Sequence, residues 1–302
     1  LIDPMNTPEP TRMRREFLKS GALAGLGLAL AGRLPAAPEA AGPLFSAMGL
    51  AGPLDRADFF KKQGADFLTV GTADILMPDK PDENFAKSLE KVAASPLPVL
   101  ASNGFIRPAN LRCIGPQANH EEVLKWADIA FRRLKQVGGR FMVFGSSGAR
   151  KLPDGWDKKQ ADDQFIALLK RMGPLAGKHG VTVTVEQLQP SECNFLNHIE
   201  HTARLIRAAG HPNVRVLADL FHMVRSGDTP EDLKNAMDVV AHIEIAEKGD
   251  RTYPGVAGDD FRPFFRVLKQ AGYRGAINIE GRGKDEQLAK AFAEITRQAA
   301  EA

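Results

Sequence analysis

The strongest constraint on this 302-residue chain is a rhythm that runs from about residue 43 to its end. Short apolar runs rich in β-branched residues alternate with longer amphipathic stretches. The short runs read as buried strands and the longer ones, with apolar residues three and four apart, as helices. Strands are predicted near 45–50, 66–71, 98–102, 140–144, 181–186, 214–219, 240–245 and 276–280. Helices fit 55–63, 84–94, 120–137, 158–179, 195–209, 230–236, 261–271 and 285–300, each closed by a nearby Gly or Pro. The clearest helix sets Val123, Leu124, Ala127, Ala130, Phe131 and Leu134 against a face carrying Glu122, Lys125, Arg132 and Lys135. Parallel strands need a crossover between them, so strict strand-helix alternation predicts a parallel sheet, and eight such units close a single α/β domain, the (β/α)8 TIM barrel. An open doubly wound sheet is the alternative, but no Gly-x-Gly-x-x-Gly turn follows an early strand to support a dinucleotide site.

Composition removes several classes of function. With 43% hydrophobic and 25% charged residues the chain is neither a disordered segment nor a multi-span membrane protein. Its 40 Lys and Arg against 37 Asp and Glu leave a net charge of +3, too little for the general phosphate attraction that nucleic-acid binding exploits, so no nucleic-acid partner is expected. Two cysteines, Cys113 and Cys193, form no C-x-x-C pair and read as separate thiols.

Residues 1–42 have a different character. Arg14-Arg15-Glu16-Phe17-Leu18-Lys19 followed by the apolar stretch 21–32 resembles a twin-arginine export signal. The stretch is well short of the roughly 20 residues that span a bilayer, so no stable membrane span is expected once the signal is removed. The alternative, a buried N-terminal helix, conflicts with Gly21, Gly25, Gly27 and Gly32. The reading is a signal peptide and leader over 1–42, a barrel domain over 43–302 and a periplasmic or otherwise extracytoplasmic location.

Four of the predicted strands end in acid. Val181-Thr182-Val183-Thr184-Val185 leads to Glu186, Val214-Arg215-Val216-Leu217-Ala218 to Asp219, Ala241-His242-Ile243 to Glu244, and Ala276-Ile277-Asn278-Ile279 to Glu280. In a barrel of this type the C-terminal strand ends carry the chemistry. Four carboxylates converging there would repel one another without a cation, which points to a divalent metal. The competing reading pairs each acid with a local Lys or Arg, or uses it to cap the next helix.

The surrounding residues carry a resemblance. Glu186-Gln187-Leu188-Gln189-Pro190-Ser191-Glu192, Asp219-Leu220-Phe221-His222-Met223, His242-Ile243-Glu244-Ile245-Ala246-Glu247 with Arg251-Thr252-Tyr253-Pro254-Gly255, and Gly272-Tyr273-Arg274-Gly275 before Glu280 resemble the xylose isomerase-like superfamily of sugar isomerases and epimerases. That resemblance implies one divalent ion held by Glu186, Asp219, Glu244 and Glu280. It also implies proton transfer by Glu186 and Glu280 next to a substrate carbonyl, through a metal-stabilised enediolate, and substrate oxygens gripped by Glu192, His222 and Arg251. Ketose 3-epimerases usually place His, and hydroxypyruvate isomerases Gln, where this chain has Glu244. The extra carboxylate makes the site harder, favouring Mn²⁺ or Mg²⁺ over Co²⁺ or Zn²⁺. A purely structural His222 stays open, as does an Arg251 that only pairs with Glu247 or Asp250.

The early strand ends depart from the family. Thr69-Val70-Gly71-Thr72-Ala73-Asp74 lacks a glutamate that many members carry, and Gly145-Ser146-Ser147-Gly148 reads as a phosphate loop or, more simply, a tight turn. The expected partner is a small sugar or keto-sugar, with self-association into a homo-oligomer left open. The same site would also serve elimination or hydration of a 3-keto-glycoside. An apurinic endonuclease of this fold would need histidines that the early strand ends do not offer, and a non-catalytic sugar binder would have no use for the intact Glu186 and Glu280.

Overall fold

A computed structural model describes residues 42–302; the twin-arginine motif and its apolar stretch lie outside the described residues. Eight parallel strands close a barrel in chain order: β1 (Met48–Ala51), β2 (Phe67–Gly71), β3 (Val99–Asn103), β4 (Phe141–Phe144), β5 (Thr182–Glu186), β6 (Val214–Asp219), β7 (Val240–Ile245) and β8 (Ile277–Ile279), with β8 pairing back onto β1. The outer layer is α1 (Ala57–Gln63), α2 (Asp82–Ala93), α3 (His120–Gln136), α5 (Lys158–Lys178), α6 (Ile199–Ala209), α8 (Pro230–Ala236), α9 (Arg262–Gln270) and α10 (Asp285–Glu301), while α4 (Ser147–Arg150) and α7 (Leu220–Ser226) are short helices that follow β4 and β6 directly. Among the described residues no helix is long and apolar enough to cross a membrane.

Successive strand residues face opposite sides of a sheet, and here one side meets the helices while the other meets the barrel axis. Val183 and Val185 of β5, and Ile277 and Ile279 of β8, join the main core. Ala101, Phe141, Val143 and Leu217 form a separate apolar cluster, the plug inside the barrel. Phe141 stacks on His242 with ring centroids 5.0 Å apart. Gly49 is required by this filling, because a Cβ there would lie 2.4 Å from the ring of Phe67.

Three local expectations need correction. The helix expected over 195–209 begins at Ile199. Residues 195–198 instead form a turn in which Leu196 has φ 57° and the amide of Asn197 donates to the carbonyls of Leu188 and Cys193, both at 2.7 Å. Thr72–Leu76 forms a π-turn after β2, and α4 and α7 are helices that lie outside the predicted ranges. Both short helices are fewer than eight residues, too brief for an apolar period to register in sequence.

Candidate active site

The four strand-end acids converge. Glu186 and Asp219 are the last residues of β5 and β6, Glu244 lies in β7 directly across from Asp219, and Glu280 follows β8, with its amide donating to the carbonyl of Ile245. One carboxylate oxygen from each lies within 4.8 Å of the others. Glu186, Asp219 and Glu244 are buried, and Glu280 stands at the rim with 22% of its side chain exposed.

Electrostatics record the crowding. Burial, then the charges of Glu280, Glu186 and Asp219, push the Glu244 carboxyl well above the usual carboxylate range. Glu280 is pushed up to about 7 by burial and by Glu186, against the opposing pull of Arg251 and of the Asn103 hydrogen bond. Glu244 Oε1 accepts from Asn278 Nδ2 at 3.0 Å, while Oε2 is buried with no hydrogen-bond partner among the described residues. A buried carboxyl oxygen left unmatched inside a ring of acids that cannot all ionise together is the arrangement a hard divalent cation completes, so the donor set fits a metal held by Glu186, Asp219, Glu244 and Glu280. The pairing of each acid with its own local Lys or Arg is not what the fold provides.

His222 stands one helical turn beyond Asp219, whose Oδ1 caps α7 by accepting from the amide of Phe221 at 2.8 Å. The backbone amide of Gln189 donates to His222 Nδ1 at 3.2 Å, which leaves the ring proton on Nε2. That nitrogen faces Glu186 at 3.4 Å, Asp219 at 3.6 Å and Glu192 at 3.9 Å. Burial opposes a charge on the ring, yet Asp219 and then Glu186 outweigh it and raise its pKa overall.

Arg251 reaches into the same cluster. Its Nη2 donates to Asp219 Oδ2 at 2.9 Å and to Glu280, its Nε donates to the Glu280 carbonyl at 2.7 Å, and its guanidinium lies 4.7 Å from the Phe221 ring centroid. The local pairing with Glu247 or Asp250 that the sequence left open does not form. Glu247 is instead the anchor of the loop that carries Arg251. Its buried carboxylate accepts from the Thr252 hydroxyl and from the amides of Gly255, Ala257, Gly258 and Asp259. Burial works against that charge, but the backbone donors win and hold the Glu247 pKa below its ordinary value. Glu192, further exposed, accepts from Gln189 Nε2 at 2.7 Å and lies 4.0 Å from Arg251.

Other polar residues support the cluster across the barrel. Asn103, at the end of β3, donates to Glu280 Oε1 at 2.7 Å. Thr69 donates to Asn278 Oδ1 at 3.1 Å, so a relay runs from β2 through β8 to Glu244. Arg150, fully buried, donates to the carbonyls of Gly145 and Glu186 and fixes the tops of β4 and β5. A Cβ at Gly145 would lie 2.3 Å from Glu186 Oε2, so glycine is required where β4 passes that carboxylate. Ser146 adopts φ 35° and its hydroxyl accepts from the amide of Ile106 at 2.9 Å, so the chain turns at Ser146 from β4 into α4. Above the carboxylates lies a cavity of about 410 Å³, lined among others by Glu186, Glu192, His222, Arg251 and Glu280.

The chain belongs to the xylose isomerase-like TIM barrel family, whose sequence model matches residues 57–300. Its relatives are sugar isomerases and epimerases. A putative hydroxypyruvate isomerase of Mus musculus is 24% identical over 149 residues, 46% of this chain and 54% of the relative. A 3-dehydro-D-guloside 4-epimerase of Escherichia coli (strain K12) is 26% identical over 181 residues, 56% of this chain and 67% of the relative. The chain spans about half the length of the curated hydroxypyruvate isomerases it matches. Among solved structures, the apo form of a 3-keto-D-glucoside 4-epimerase from E. coli aligns with TM-score 0.69 at 20% identity, over 82% of this chain and 97% of that one. The IOLI protein with a bound zinc atom aligns with TM-score 0.66 at 18% identity, over 84% and 98%. These likenesses establish the shared barrel, and the zinc structure is of a related protein that holds a divalent metal.

Proposed function

We propose that the protein is a metal-dependent sugar isomerase or epimerase that moves a proton at the carbon next to a substrate carbonyl. The observation that carries this reading is the convergence of Glu186, Asp219, Glu244 and Glu280 within 4.8 Å, with one buried Glu244 oxygen unmatched. Glu186, Asp219, Glu244 and Glu280 would hold the ion, with Mn²⁺ or Mg²⁺ favoured by an all-carboxylate set. When bound, a divalent cation supplies Lewis-acid polarisation of the carbonyl.

The remaining work falls to side chains. One of Glu186 and Glu280 takes the proton from the α-carbon, and the other returns a proton to the opposite face or to the neighbouring carbon; they stand at the ends of the fifth and eighth strands, on different sides of the cavity. Burial suits Glu280 to the task by pushing its carboxyl up to about 7, since a general base works best when its proton affinity lies near ambient pH. His222 Nε2–H, Glu192 and Arg251 line the space where the substrate's oxygens would lie, and they set its orientation.

Glu280→Gln with metal restored to saturation is the decisive variant. Deuterium wash-in at the α-carbon of keto-sugars in deuterated water is expected to fall by about 10²–10⁴-fold on at least one face. Full exchange in that metal-loaded variant would reduce Glu280 to a ligand and overturn its catalytic assignment.

A further inference from the structure

A second cavity lies beside the carboxylate cavity. This space, of about 760 Å³, begins at Gly52, Gly71 and Asp74 on the rim and runs along the flank toward Lys91 and Pro96. Two residues, Asn103 and Arg107, line both spaces. Asn103 is the residue whose amide nitrogen holds Glu280 Oε1 at 2.7 Å, so the groove begins one side chain away from a carboxylate assigned to proton transfer. Arg107 folds back over Gly104, where a Cβ would lie 3.0 Å from its Nε, and its side chain makes no hydrogen bond among the described residues.

We infer that the substrate is an extended glycoside, a keto-sugar joined to a second polyhydroxylated unit, with the reacting ring over the carboxylates and the second unit in the groove past Asn103. The inference rests on the isomerase or epimerase reading above and adds the substrate class.

Size is the first reason. Cavities that enclose small ligands measure roughly 300–1,000 Å³. The carboxylate cavity, at about 410 Å³, stands near the lower end, while the groove is almost twice as large. A single sugar ring leaves the larger space unused. Chemistry is the second reason. The groove is lined by acceptors, the carboxylates of Asp55, Asp58 and Asp74, by donors, the cations of Lys91 and Arg107, and by apolar side chains that include Leu54 and Ile75. Donors and acceptors beside apolar side chains match the hydroxyls and ring carbons of a second sugar. A phosphate or carboxylate in that place would meet Asp55, Asp58 and Asp74. Adjacency is the third. Because Asn103 and Arg107 border both spaces, the groove starts beside the place where a group extending from the reacting ring would leave the carboxylate cavity.

The test compares two substrates on the Mn²⁺-loaded full chain in deuterated water: a 3-keto-hexose and a disaccharide bearing the same 3-keto ring. Wash-in is read by mass and NMR. The expected result is a kcat/KM about tenfold or more higher for the disaccharide, expressed mainly through KM. In Asp74→Leu and Asp55→Leu, variants of two exposed side chains, that advantage is expected to shrink by about tenfold, with wash-in from the hexose unchanged. Equal kcat/KM for the two substrates, or variants that lower both in proportion, overturns the extended-substrate inference and leaves the proton-transfer reading standing. No wash-in from either substrate at saturating metal overturns both.

Discussion

The Arg251 guanidinium donates to Asp219 Oδ2 at 2.9 Å and, through the same nitrogen, to Glu280, so one cation joins the carboxylates at the ends of the sixth and eighth strands. The protein thus carries a counter-charge of its own inside the acidic cluster. Two of the four carboxylates proposed for the metal are already hydrogen-bonded to it. Arg251→Gln is expected to tighten Mn²⁺ binding by about tenfold, because removing a cation beside two ligands strengthens the field that attracts another. The same variant is expected to raise KM for the substrate. Isothermal titration of the metal reads the first effect without any turnover. Unchanged or weakened affinity would show that Arg251 and the ion do not share these carboxylates.

Glu244 offers a separate test of the metal. Glu186→Gln and Asp219→Asn are each expected to lower the bound metal measured by elemental analysis after dialysis, from about one ion per chain. Glu244→His is expected to retain a site and shift its preference toward zinc or cobalt, since imidazole is a softer donor than carboxylate. Full occupancy in both of the first two variants would rule out this ligand set.

His242 lies wholly inside the barrel, with neither ring nitrogen hydrogen-bonded among the described residues, and burial lowers its pKa from 6.5 to about 4. The unfolded chain takes up a proton near pH 6.5, whereas the folded chain resists until about pH 4. Stability present above the unfolded pKa is therefore lost as pH falls between those values, on the order of 3 kcal/mol for a fully buried group. His242→Leu is expected to flatten that part of the stability curve. Urea unfolding between pH 7 and 4 checks it, and an unchanged slope would mean that His242 is solvated or paired.

Gly145→Ala isolates the placement of Glu186. A Cβ would lie 2.3 Å from Glu186 Oε2, while the Gly145 backbone is not in the left-handed region that only glycine favours. Space, not backbone strain, is the obstacle, so the expected outcome is a folded protein with Glu186 displaced. A shift of that kind is expected to cost roughly 100-fold in deuterium wash-in with little change in melting temperature. Wild-type wash-in would show that Glu186 has room to relocate.

The chain's order of strands and its four terminal acids were legible because each is a local pattern: an apolar run, its length and the residue that closes it. All eight strands fall within a few residues of where those runs predicted them. The support for the site was not legible. Asn103 meets Glu280 across 177 residues of sequence and Thr69 meets Asn278 across 209, and no periodicity links such pairs. A polar residue at an inward strand position, such as Asn278 between Ile277 and Ile279, was the available signal. For Arg251 the resemblance pointed to the site while its sequence neighbours Glu247 and Asp250 left a local pairing open; its left-handed backbone, with φ 53°, and the bond from the Arg282 amide to its carbonyl accompany the inward course of the side chain.

The bonds that Glu247 accepts all come from residues at most twelve positions ahead of it, the furthest being Asp259. The segment that delivers Arg251 is thus fastened twice: from within, through one carboxylate and its own backbone, and from outside, where Arg251 and Tyr253 bond to the backbone of Arg282. Grafted with its glutamate after the seventh strand of another barrel, residues 246–260 would bring the first fastening only and would need a backbone partner in the place of Arg282 to turn the arginine inward, whereas a graft that begins after position 247 would lose both.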